Sequence, residues 1–247
     1  MDKLIYTAMT GASQVLEQQA TVSENLANAS TPGFRAALSS FRAVPVVGEG
    51  LPTRTMVVDS TPGSDFTPAS FQASGSNLDL ALNGPGWLAV RGVDGKEAYT
   101  RNGSLQISPN GVLQTRTGLN VMGEAGPITI PPTSQITFAK DGTISTISDG
   151  SLPNAIAVIG RVKLVNPPAD QMERSADGLF RLKNGATAPV SANTEVISGN
   201  LEGSNVNTVK SLVDMISLSR KFDMQMKMLT TADNDAKQAS SIMGITG

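Results

Sequence analysis

Near the start of the chain, apolar and small side chains fall at Ile5, Ala8, Ala12, Val15, Val22, Leu26 and Ala29, with polar Gln19 filling the one missing step. Alternating steps of three and four make a heptad seam, the pattern of a helix that packs lengthwise on another helix. Over Lys3–Ala29 such a helix is roughly 40 Å long. Gln14, Glu17, Gln18, Ser23 and Glu24 occupy its other face. The pattern stops at Thr31-Pro32-Gly33-Phe34. Proline pushes the residue before it out of the helical region, and glycine accepts a positive φ. Phe34 is expected to pack back on the seam.

The far end repeats the design. Leu212, Met215, Ser219, Phe222, Met226, Leu229, Asp233, Ala236, Ser240 and Met243 follow the same steps. Asn205 and Asn207 are candidate N-caps before Val209, since their side chains can accept from free backbone N–H groups. Methionines 215, 224, 226, 228 and 243 suit an adaptable contact surface. Arg220, Lys221, Asp223, Lys227, Asp233, Asp235 and Lys237 alternate in sign and read as a solvated face.

Between these ends the apolar period becomes two. Asn77–Val90 reads NLDLALNGPGWLAV, with Leu78, Leu80 and Leu82 on one face of a strand. Turn signals recur at Val93-Asp94-Gly95-Lys96, Ser108-Pro109-Asn110-Gly111, Lys140-Asp141-Gly142, Ala176-Asp177-Gly178 and Lys183-Asn184-Gly185. Such pairs between apolar alternations predict hairpins. The pattern predicts a mixed α+β fold. Residues 1–35 form an N-terminal helix, 36–77 an extended Pro/Gly/Ser/Thr-rich connector, 78–199 an antiparallel sandwich or barrel-like β domain, and 200–247 a C-terminal helix. The two helices are expected to pair as a coiled-coil-like stalk. A lone pair of helices buries only part of its apolar area. The surplus points to other copies, and contacts that do not close generate filaments.

Composition narrows the chemistry. Hydrophobic residues make up 39% and aromatics 4%, so a single large dense core is not expected. There is no histidine and no cysteine, which excludes His-assisted nucleophiles, His- or Cys-ligated zinc and disulfides. A net charge of −2 with interspersed signs leaves no basic patch for nucleic acid. MDKLIYTAM is neither a secretory signal nor a membrane span. Asn83-Gly84-Pro85-Gly86 precedes a strand rather than a helix and reads as a turn, not a phosphate loop. Asp79, Glu97, Glu124 and Glu202 have no carboxylate partner at a meaningful spacing, so hydrolysis by paired carboxylates is not expected. Trp87 is assigned to the core and Arg101-Asn102-Gly103 to a turn. No cofactor, metal or small-molecule substrate is expected. A non-enzymatic β-rich fibre or glycan-binding module is the alternative reading.

Several strings together resemble one family, the flagellar rod and hook axial proteins. MDKLIYTAMTGASQVLEQQATVSENLANASTPGFR looks like their N-terminal helix and signature. NLDLALNGPGWLAV and YTRNGSLQISPNGVLQTRTGLNVMG resemble their central strands, and SGNLEGSNVNTVKSLVDMISLSRKFDMQMK their C-terminal signature. The matches occur at the start, middle and end in the family's order. MDKLIYTAM, ASTPGFRA, PVVGEGLPTRT and GEAGPI are most similar to the proximal-rod branch.

The resemblance implies a structural subunit, not an enzyme. It implies export from the cytoplasm by the flagellar type III apparatus without a cleaved signal. Polymerisation in the periplasm with other copies and other rod proteins would follow, forming a shaft that transmits torque from motor to hook and is required for motility. Ile5, Ala8, Ala12, Val15, Val22, Leu26, Leu212, Met215, Phe222, Met226 and Leu229 are the expected subunit interface. Asn28, Thr31, Pro32, Gly33 and Phe34 carry the helix-breaking signature. Leu201, Glu202, Gly203, Ser204, Asn205 and Val206 carry the C-terminal one.

Overall fold

A computed structural model describes residues 2–47, 55–131, 134–148 and 156–244. The chain divides into two compact units. One comprises Met1–Ala29, Ala37–Gly63 and Val206–Gly247, and the other Ser30–Ala36 and Ser64–Asn205.

The first unit is built on two helices packed together, α1 (Asp2–Ala27) and α2 (Thr208–Gly244). Ala8 and Ala12 are buried on α1, and Ile5, Val15, Val22 and Leu26 are half-buried along the same stripe. On α2 the covered stripe is Met215, Leu218, Phe222, Gln225, Leu229, Ala232 and Ala236. This differs in phase from the expected seam. Counted from Met215, steps of three then four replace four then three, so Leu218 and Ala232 are buried whereas Leu212 and Met226 are exposed. The reason is steric and polar at once. The shifted stripe removes Ser219 and Asp233 from the contact, and puts in their place a leucine and an alanine small enough for close helix approach. The Met243 side chain lies outside the described residues. Asn207 caps α2, its Oδ1 accepting from the Lys210 N–H at 3.0 Å. At the end of α1, Asn25 brackets Ala37, accepting from its N–H at 2.7 Å and donating to its carbonyl at 2.9 Å.

Residues 36–77 are more than an extended connector. Ala37–Pro45 and Thr55–Ser64 pair as a two-stranded sheet, consistent with β-branched runs such as Val57-Val58. Residues 48–54, within the expected connector and the PVVGEGLPTRT string, lie outside the described residues.

The second unit is antiparallel in every pairing recorded among its described strands. Its largest sheet runs in the order Leu164–Val165, Trp87–Arg91, Glu97–Thr100, Phe180–Leu182, Met172–Arg174. Beside it lie a three-stranded sheet and several two-stranded pairs. The central strands are covered on both faces. Leu88, Val90 and Ala98 join a larger cluster with Leu80, Leu82 and Leu113. Trp87, Ala89 and Tyr99 join a smaller one with Met172 and Phe180. Splitting the apolar residues into two clusters is how so aromatic-poor a chain closes a β unit. The turns at 93–96, 108–111, 140–142 and 176–178 each join antiparallel neighbours.

The shifted helix seam makes a prediction. Leu218→Ala should lower stability by about 2–5 kcal/mol, as for other buried leucines. Leu212→Ala should change it by less than about 0.5 kcal/mol. Urea unfolding followed by far-UV circular dichroism measures both, and equal effects would contradict the assigned phase.

Candidate functional site: a buried charge cluster and an uncovered helix face

The second unit is organised around one carboxylate. Glu202 is 1% exposed and ends the short strand Asn200–Glu202, which pairs with Phe71–Ala73. Its Oε1 accepts from Arg35 Nη2 at 2.8 Å and from the Ala69 N–H at 3.0 Å. Its Oε2 accepts from Arg101 Nε at 2.5 Å. Both arginines are almost wholly buried as well. Arg35 reaches the Thr67 carbonyl through Nη1 at 2.8 Å. Arg101 spends its two Nη groups on the carbonyls of Leu82, Gly84 and Gly86 at 2.7–3.1 Å. Burial is the main force on the Arg35 guanidinium and pushes its pKa down, against the upward pull of Glu202 and with a further downward push from Arg101. Buried ions are tolerated when paired and fully hydrogen-bonded, and this carboxylate is both.

Backbone contacts complete the clasp. The Gly33 N–H donates to the Glu202 carbonyl at 2.8 Å, and the Gly203 N–H to the Ser70 carbonyl at 2.9 Å. Asn205 Oδ1 accepts from the Ala36 N–H at 2.7 Å, and its Nδ2 donates to the Asp65 carbonyl at 2.8 Å. Asn205 is therefore a cross-link rather than a helix cap; Asn207 alone caps α2. Gly33 has φ +68°, and a Cβ there would lie 2.3 Å from the Arg101 carbonyl carbon. Its role is close approach as well as helix termination.

Phe34 does not return to the helix seam. It is buried in the second unit, with the Arg174 guanidinium 4.6 Å above its ring, a cation–π distance. Thr31 closes a turn by accepting from the Phe34 N–H at 3.3 Å, while Asn28 Nδ2 donates to the Glu24 carbonyl at 3.0 Å on the last turn of α1. Pro32, Ser204 and Val206 are half-buried, and Leu201 stands opposite Gln72 in the short ladder.

The other expected carboxylates have ordinary partners. Glu97 accepts from Lys163 at 2.8 Å and from the Tyr99 hydroxyl at 2.9 Å, Asp79 accepts from Ser104 at 3.3 Å, and Glu124 lies 3.7 Å from Arg161. Sequence reasoning missed Arg35 and Arg101 as partners of Glu202, and took Arg101 for a turn residue. The available signal was a lone charge inside each of three family strings, TPGFR, YTRNG and LEGSN.

On the helix pair, Val209, Leu212, Val213 and Ile216 form a second apolar stripe on the side of α2 away from Leu218, between 49% and 69% exposed. Tyr6, Met9 and Leu16 are similarly open on α1. No helix among the described residues is long and apolar enough to cross a membrane. No acidic or metal-ligating cluster of three occurs among them either.

The segments joined by the charge cluster are those shared with known proteins. Residues 5–35 match the family described as flagella basal body rod protein, 81–146 the flagellar hook protein FlgE/F/G D1 domain, and 197–242 the flagellar basal body rod FlgEFG protein C-terminal region. The chain is 49% identical to the flagellar basal-body rod protein FlgF of Salmonella typhimurium, over 100% of both chains. This chain belongs to the FlgF family of flagellar basal-body rod proteins. The FlgF of Escherichia coli is also 49% identical over 100% of both chains. A FlgG of Buchnera aphidicola is 27% identical over 96% of this chain and 98% of the relative. The FlgF family is structural rather than enzymatic, and no observation favours a separate fibre or glycan-binding module.

The cluster predicts a large cost for its carboxylate. Glu202→Ala leaves two buried guanidinium groups against one another and should destabilise the second unit by about 3–5 kcal/mol. Glu173→Ala, on an exposed side chain, should cost less than about 1 kcal/mol. Denaturant unfolding read by the fluorescence of Trp87, the sole tryptophan, distinguishes them.

Proposed function

We propose that the chain is a structural subunit of the proximal rod, assembling through its terminal helices with other copies and with other rod proteins into the drive shaft between motor and hook. The observation that carries this reading is the apolar stripe Val209, Leu212, Val213 and Ile216, left open on a helix whose opposite side is already packed on α1. An amphipathic helix with apolar residues on two faces is built for two neighbours. Contiguous open apolar surface marks an interaction site. Family membership supports the location in the basal body, and we extend it to the periplasmic part of the rod. Delivery there is by the flagellar type III export apparatus. The remaining seam residues from Ile5 to Leu26, with Met215, Phe222 and Leu229, serve assembly indirectly by holding the helix pair that presents the open stripe.

Ile216→Asp and Val213→Asp test this directly. Each places a charge on the open stripe, where it is solvated in the free subunit and desolvated at an interface. Each should leave the isolated protein's unfolding curve within about 0.5 kcal/mol of wild type, while blocking rod assembly and swimming when it replaces the native chain. Lys227→Ala, at an exposed charge, should swim normally. Normal swimming with Ile216→Asp would remove the helix-mediated assembly reading.

A further inference from the structure

We infer that Asn83 is a site of covalent modification, exchanging its side-chain amide for an acid through a ring closed on Gly84. Asparagine is thermally labile, most of all before glycine, where no Cβ hinders attack by the next backbone nitrogen. The Gly84 nitrogen bonds to Asn83 Cγ and gives up its proton, and the Cγ–Nδ2 bond breaks to release ammonia. Water then opens the cyclic imide at either carbonyl, leaving aspartate or isoaspartate. Water is the only co-reactant, and nothing is oxidised or reduced.

Asn-Gly pairs occur at 83–84, 102–103, 110–111 and 184–185, and the fold restrains all but the first. Gly103 is buried, and a Cβ there would lie 1.8 Å from the Leu80 carbonyl oxygen. Its neighbour is held too, Asn102 Oδ1 accepting from the Ser104 N–H at 3.0 Å. Gly111 donates its N–H to the Ser108 carbonyl at 2.9 Å, so the attacking nitrogen is engaged. Gly185 donates likewise to the Leu182 carbonyl at 2.9 Å, and Asn184 Oδ1 accepts from the Ala186 N–H at 3.0 Å. Asn83 escapes these restraints. It is exposed at the last position of the strand Leu80–Asn83, and Gly84 is exposed just beyond it. The Gly84 N–H meets no acceptor among the described residues, and nothing lies within 4 Å of where a Cβ would stand. Arg101 grips the turn from its other side, through the Gly84 carbonyl at 3.1 Å. Asn83 Nδ2 makes one long bond, donating to Glu195 Oε2 at 3.4 Å.

The product alters a cross-strand pair. Asn83 stands opposite Glu195 in the ladder formed with Glu195–Ser198. Modification removes the Nδ2 donor and sets a second carboxylate against Glu195, and like charges directly opposite destabilise a sheet. The modified chain therefore holds this ladder less firmly.

Incubation of the intact folded protein in mildly alkaline buffer, followed by peptide mass mapping, gives the rate at each Asn-Gly pair. Asn83 should be modified about twofold to tenfold faster than Asn110 and Asn184, because its attacking nitrogen has no hydrogen bond to break. In urea-unfolded protein the rates should level. Asn83 no faster than Asn184 in the folded protein, or the same order kept in urea, would overturn the assignment. Asn83→Asp should lower the midpoint of urea unfolding, and Glu195→Gln in the same chain should restore it. An unchanged midpoint in Asn83→Asp would overturn the effect on the ladder.

Discussion

Everything in the second unit is arranged around the pairing of one buried carboxylate with two buried guanidinium groups. A charge taken out of water is costly, and it is stable only where every oxygen finds a donor. Glu202 meets that condition with Arg35, Arg101 and the Ala69 N–H. Each partner then imposes a demand of its own. Arg101 collects the carbonyls of the Gly84–Gly86 turn, so the turn is shaped by a cation rather than by its glycines alone. Arg35 fixes the Thr67 carbonyl and thereby the segment entering the unit. The close passage of Gly33 beside Arg101 leaves no room for a side chain. Sequence strings that look like separate signatures are thus parts of one contact.

The helix pair follows a different economy. Its internal seam uses small residues, Ala8, Ala12 and Ala232, with Leu218 as the main large anchor. Small contacts let the helices approach closely but release little apolar surface from water. Much of the large apolar area of α2 remains outside that seam, in Val209, Leu212, Val213 and Ile216. These bulky residues add little to the folding of the helix pair itself, because they stay in contact with water. The two units therefore divide the work: one closes upon charge and a split core, and the other is left open.

Much of this was legible in the sequence. The two helices follow from their repeating steps of three and four, and the hairpins at Asp94-Gly95 and Asn110-Gly111 from their turn residues. The phase of the α2 seam was not legible, because Leu212 and Leu218 are equally apolar and only the partner helix chooses between them. Ser219 and Asp233 were the available clue. The pairing of Glu202 with Arg35 could not be read from spacing at all, since 167 positions separate them. Local patterns report local structure, and long-range ion pairs leave only the trace of a charge where none is otherwise explained. Phe34 was misassigned for the same reason: its apolar character was clear, while its destination depended on Arg174.

The distance along the chain between the halves of the clasp has a kinetic meaning. Closing a loop of that length carries an entropic cost of roughly 4–5 kcal/mol before any contact repays it, so this contact belongs to the late stage of folding. Until residues 200–205 are available, Arg35 and Arg101 lack their shared counter-ion, and the segment at Gly33 lacks the Glu202 carbonyl that holds it. A chain delivered from its N-terminus can form hairpins one after another, yet it cannot seal the unit before nearly all of it has emerged. The clasp thus works as a completeness check, making the final order of the β unit conditional on the arrival of the segment that leads into α2.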